Sequence, residues 1–123
     1  MPIHSLAPVE GVFEVNDPNC IIRLTVTLGH AGQEGASAVQ IGGIDRGHRA
    51  GSFSMELGSA ADLDGQLLRV STVVQDVANE HNDLSFAIEI TACGQRFFER
   101  RERSVPNHGD GISIMTFIGI LTA

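Results

Sequence analysis

The 123-residue sequence has no lysine, no tryptophan and no tyrosine, and only two cysteines and four prolines. Eight arginines face fifteen acids, for a formal charge of −7, which argues against a protein that tracks nucleic-acid phosphates. Without tryptophan or tyrosine the commonest stacking surfaces for sugars and bases are missing, although six phenylalanines remain. No apolar run approaches the roughly 18 residues of a membrane span, and the opening MPIHSLAP lacks the basic-then-apolar layout of a signal peptide. The expectation is therefore a protein with no nucleic-acid and no membrane partner, cytoplasmic by default. In that reducing setting Cys20 and Cys93 are expected to be free, small packing residues, since a bridge needs Cα atoms within about 7 Å.

What is present is core material. At 13.1 kDa, area scaling gives roughly 6,400 Å² exposed in the folded chain against roughly 19,000 Å² extended, enough burial for one domain. Period-two alternation dominates and helical periodicity is nearly absent. In 20–28, Ile22, Leu24, Val26 and Leu28 share a face opposite Arg23, Thr25 and Thr27. Segments 52–57, 66–76 and 84–92 alternate in the same way, and weaker runs cover 9–15, 38–44, 96–103 and 112–122. Eight short strands separated by Gly, Asn, Asp and Pro predict a single antiparallel β-sandwich over 9–123, preceded by an arm at 1–8. A small closed barrel is the second choice, and one enclosing an apolar ligand is a third functional option.

Two segments break the alternation. In 112–122, Ile112, Ile114, Ile118 and Ile120 occupy one face while Met115, Phe117 and Leu121 make the other face apolar too. Either loops or the arm cover that second face, or it meets another subunit, because such patches seldom stay exposed. In 96–103, a Gly94-Gln95 turn would set Glu89 opposite Arg100, and Glu99 and Arg101 opposite Ile90 and Ile88. Charges at that position suit an edge strand whose ions pair with one another. Anion binding by Arg100, Arg101 and Arg103 is the weaker alternative.

Catalytic and nucleotide motifs are missing: there is no G-x-S-x-G, no Walker loop, no G-x-G-x-x-G, no H-E-x-x-H and no C-x-x-C. Counting alternate loops of the eight-strand scheme brings 16–19, 45–51, 77–83 and 104–111 to one end. That end would gather Asn16, Asp17, Asp45, Arg46, His48, Arg49, Glu80, His81, Asp83, Asn107, His108 and Asp110. Such side chains can bind a polar ligand such as a glycan or a protein, although turns favour the same residue types for local reasons. Imidazoles of His48, His81 and His108 are the candidate ligands of a divalent metal; otherwise no cofactor is expected. The leading expectation is a non-catalytic binding or assembly module, a homo-oligomer joined through Met115, Phe117 and Leu121. The alternative is a small metal-dependent protein or enzyme.

Overall fold

The computed structural model describes residues 3–29, 33–76, 83–107 and 109–122. Two sheets pack face to face as an all-β sandwich, and among the described residues neither sheet closes into a barrel. The strands are β1 Ile3–Ser5, β2 Val9–Val15, β3 Ile21–Leu28, β4 Gln33–Ile41, β5 Ile44–Ala50, β6 Phe53–Ser59, β7 Leu67–Asp76, β8 Asp83–Ala92, β9 Gln95–Ser104 and β10 Gly111–Thr122. A single helical turn, α1 Ala60–Leu63, is capped by the Ser59 hydroxyl, which accepts from the Asp62 amide at 3.2 Å.

The six-stranded sheet runs β1-β10-β7-β4-β5, with β2 also paired to β10; the four-stranded sheet runs β6-β3-β8-β9. Most neighbours are antiparallel, but β1 and β2 run parallel to β10 and take successive stretches of its free edge. The segment expected as an arm thus joins the sheet in its plane. Pro8, which has no N–H to offer a ladder, falls in the gap between β1 and β2.

The alternation of apolar residues sets which faces meet. Ile22, Leu24 and Val26 of β3, Phe86, Ile88 and Ile90 of β8, and Ile112, Ile114, Ile118 and Ile120 of β10 all point between the sheets and are buried. Burying side chains of this size contributes roughly 1.5–3 kcal/mol each. Opposite β9, Gly11 of β2 leaves room for the Phe97 ring, whose Cε2 lies 2.8 Å from where a Cβ would stand. Gln95 closes the same corner: its Nε2 donates to the Glu14 carbonyl at 2.8 Å and its Oε1 accepts from the Asn16 amide at 2.9 Å.

Three expectations change. Segment 38–44 is not one strand but the turn of a hairpin, β4–β5, with Gly42 and Gly43 at φ 57° and 80°. The β5 sequence IDRGHRA is polar because β5 is an outer edge, so it carries no alternation to read. The second hairpin turns on Cys93-Gly94, not Gly94-Gln95, with Ala92 paired to Gln95 and φ of 46° and 82° at the turn. Glu89 consequently faces Phe98 and its carboxylate pairs with Arg96, while Arg100 faces Ala87. The register moves by two, so facing is preserved: Glu99 and Arg101 still point inward, opposite Ile88 and Phe86, and pair with each other. The third change is Cys20–Cys93, which is a disulfide with a Cα separation of 5.8 Å. The free-thiol expectation fails because β3 and β8 are adjacent in one sheet, which brings the start of one strand to the end of the other.

Candidate functional site

The added β5 strand redistributes the polar loops. Strand ends Ile3, Ala50, Phe53, Asp83, Ser104 and Gly111 share one end of the sandwich, and Val15, Ile21, Ile41, Ile44, Ala92 and Thr122 share the other. Asn16 and Asp17 therefore lie at the opposite end from Asp83, Asn107 and Asp110. Among the described residues the expected gathering at one end does not form.

Where these side chains are described, local contacts occupy many of them. Asp17 Oδ1 accepts from the Asn19 amide at 2.8 Å, and Asp45 Oδ1 from the Gly47 amide at 2.8 Å. Both are Asx turns that shape the backbone. Arg46, on β5, reaches across to the other sheet and donates to the Leu57 carbonyl at 2.9 Å. Arg49 donates to the His48 carbonyl at 3.0 Å, and the Ser104 hydroxyl donates to the Asp83 carboxylate. Asn107 accepts the Asp110 amide through its backbone carbonyl at 3.1 Å. Asp110 is 2% exposed, and its carboxylate lies 3.2 Å from Nε2 of His4 on β1. That contact links β1 to the loop before β10.

Of the three proposed metal ligands only His48 is described, exposed on β5; His81 and His108, like Glu80, lie outside the described residues. Among the described residues no three His, Cys, Asp or Glu side chains group closely enough to hold an ion. Nor is any helix there long and apolar enough to cross a membrane.

The outer faces of the two sheets differ sharply in chemistry. On the four-stranded sheet most outward residues are polar and several are paired, with Ile21 exposed at one end of β3. Arg23 meets Glu56 at 2.9 Å, Thr25 and Ser54 share a hydrogen bond at 3.1 Å, and Arg100 meets Glu102 at 3.1 Å. Even the exposed Phe98 lies under a guanidinium, with Arg96 4.4 Å from its ring centroid. The outer face of the six-stranded sheet instead exposes apolar side chains on three adjacent strands, set among Glu10, Glu14, Arg69 and Ser71.

On that face β10 presents Ser113, Met115, Phe117, Gly119 and Leu121, alternating with the buried isoleucines and Thr116. β7 adds Leu67, Arg69, Ser71 and Val73; β2 adds Glu10, Val12 and Glu14. Met115 and Phe117 are half-buried, while Leu121 is 45%, Leu67 48% and Val12 61% exposed. Since β1 lies in the plane of the sheet, the described residues of the arm do not cover this face. Arg69 sits 5.8 Å from the Phe117 centroid. An open cleft of about 300 Å³, lined by Glu34, Gly35, Ala36, Val73 and Gln75, indents the face toward the end where β10 begins.

Met115, Phe117 and Leu121 were legible from the double apolarity of one strand. Their neighbours Val12, Leu67 and Val73 were not joined to them, although each occupies the outward phase of its own strand. Only the pairing order β2-β10-β7 makes them one surface. Set against known proteins, the chain matches no family model, no curated protein and no solved structure.

Proposed function

We propose that this protein is a non-catalytic assembly module that self-associates through the outer face of its six-stranded sheet, with Met115, Phe117 and Leu121 of β10 at the centre. The observation that carries the reading is the contrast between the two outer faces. One carries ion pairs and hydroxyl contacts that satisfy each other and leaves only Ile21 and Phe98, on separate strands, as large exposed apolar residues. The other offers contiguous apolar side chains from β2, β10 and β7 to solvent. Contiguous apolar surface of this kind marks an interaction site far more often than it stays wet. Three strands about 4.8 Å apart, each about ten residues long, give a stripe on the order of 500 Å²; the flanking strands β4 and β5 extend the face toward the roughly 800 Å² that one partner contributes to a standard stable interface.

The test is size exclusion with light scattering on the wild type and on Phe117→Asp. Phe117 points away from the core, so the variant is expected to fold, with circular dichroism as the check. The wild type should run as an oligomer and the variant as a monomer. A monomeric wild type, or a folded variant whose mass is unchanged, would falsify the assignment.

A further inference from the structure

Gly119 is the anomaly on this face. It lies inside the longest strand, paired on both sides without a register shift, to Val12 on β2 and Leu67 on β7. Its φ is not in the left-handed region, and a Cβ built there would meet only Val12 Cγ2 at 3.9 Å, an ordinary contact. Neither backbone geometry nor crowding within the chain calls for glycine, and glycine weakens a strand interior. The remaining reason is a close approach from outside. Gly119 makes a socket with Val12 and Leu67 on its flanks and Phe117 and Leu121 above and below it along β10.

The same face carries a plug for the socket. Cross-strand partners on β10 and β7 are Ser113 with Val73, Met115 with Ser71, Phe117 with Arg69, and Gly119 with Leu67. In three of these rows a large side chain stands beside a small one, and in the fourth an aromatic ring stands beside a cation. A two-fold axis parallel to the strands and midway between β10 and β7 lays each β10 residue over its own row partner in a second copy. Leu67 then enters the partner's socket at Gly119, Met115 covers Ser71, Val73 covers Ser113, and Arg69 lies over the aromatic face of Phe117. Sheets packed this way sit about 10 Å apart with strands roughly aligned, and a cation over an aromatic face is attracted by the ring quadrupole. Glu10 stands opposite Phe117 on the side away from β7, so the incoming Arg69 arrives beside a carboxylate.

We infer that the occupant of this face is a second copy of the chain, docked face to face about a two-fold axis parallel to β10, with Leu67 of each copy seated in the Gly119 socket of the other. The inference rests on the reading of this face as the self-association surface and fixes the geometry of that contact. Two-fold interfaces of this type are self-complementary, with each contact made twice.

Two variants test it by sedimentation over a micromolar to near-millimolar range. Gly119→Val suits a strand and its Cβ has room in the monomer, so circular dichroism should show a folded chain while association weakens at least tenfold. Glu10→Arg and Arg69→Glu should each weaken association, and the two together should lose less than the sum of the single losses, because the carboxylate–guanidinium pairing returns while the cation over Phe117 does not. If Gly119→Val associates as tightly as wild type, or the two charge changes are simply additive, the socket geometry is overturned. If Phe117→Asp abolishes association while Gly119→Val does not, the face is retained and only this docking is lost. A monomeric wild type overturns both.

Discussion

Breaking the Cys20–Cys93 bridge tests how this sandwich is held at one end. The two cysteines are 73 residues apart, and the bridge spans neighbouring strands already joined by the β3–β8 ladder. Its removal therefore acts chiefly on the unfolded chain, which regains the freedom of a closed loop. For a loop of that length the chain-entropy relation gives about 15 cal/mol/K, or about 4.4 kcal/mol at 25 °C. With an unfolding entropy of about 2.1 cal/mol/K per residue, that corresponds to a fall in melting temperature of about 17 °C. A second effect bears on the choice of variant. Cys93 holds φ at 46°, a region that costs a non-glycine residue roughly 1–2 kcal/mol. Replacing it with glycine should recover about 1 kcal/mol of the loss, whereas alanine should recover none.

The assay is urea unfolding followed by far-ultraviolet circular dichroism. The samples are the oxidised wild type, the same protein with a dithiol reductant, Cys20→Ala/Cys93→Ala and Cys20→Ala/Cys93→Gly. The reduced protein and the alanine pair should unfold at the same, lower midpoint with a steeper slope, because the unbridged unfolded chain exposes more surface, and the glycine variant between them and the oxidised form. Thiol labelling of the unreduced, denatured wild type should find no free cysteine. Coincident midpoints for oxidised and reduced protein would refute the loop-closure reasoning. Free thiols in the untreated protein would refute the bridge itself.

Two further outcomes are expected in the core and at the first strand. Thr116 is fully buried and its hydroxyl has no hydrogen-bond partner among the described residues, so Thr116→Val should raise stability by about 1 kcal/mol. A lower urea midpoint for that variant would contradict it. His4→Ala removes the contact to the buried Asp110 carboxylate and should cost about 1 kcal/mol, at the low end for a hydrogen bond to a buried group because His4 is itself part-exposed. It should also speed amide exchange at Leu6, whose N–H donates to the Ser113 carbonyl at 2.9 Å; unchanged protection there would show that the contact does not hold β1.

Alternation along single strands was enough to establish the all-β class, the inward residues of β3, β7, β8 and β10, and the self-paired charges of β9. Each of these is a local property: successive side chains point to opposite faces whatever the partner strand is. The doubly apolar β10 was legible for the same reason. Tertiary structure decided the rest. The polar edge strand β5 carries no local signature, and its addition moved Asn16 and Asp17 to the opposite end from Asp83 and Asp110. The Cys20–Cys93 bridge depends on β3 lying beside β8, a pairing that neither segment encodes alone. The candidate contact face depends on β2, β10 and β7 being neighbours, since Val12, Leu67 and Gly119 come from distant parts of the chain and meet only through sheet order. Facing is set residue by residue, but adjacency is set by which strands lower the free energy most when they pair, and that is a property of the whole chain.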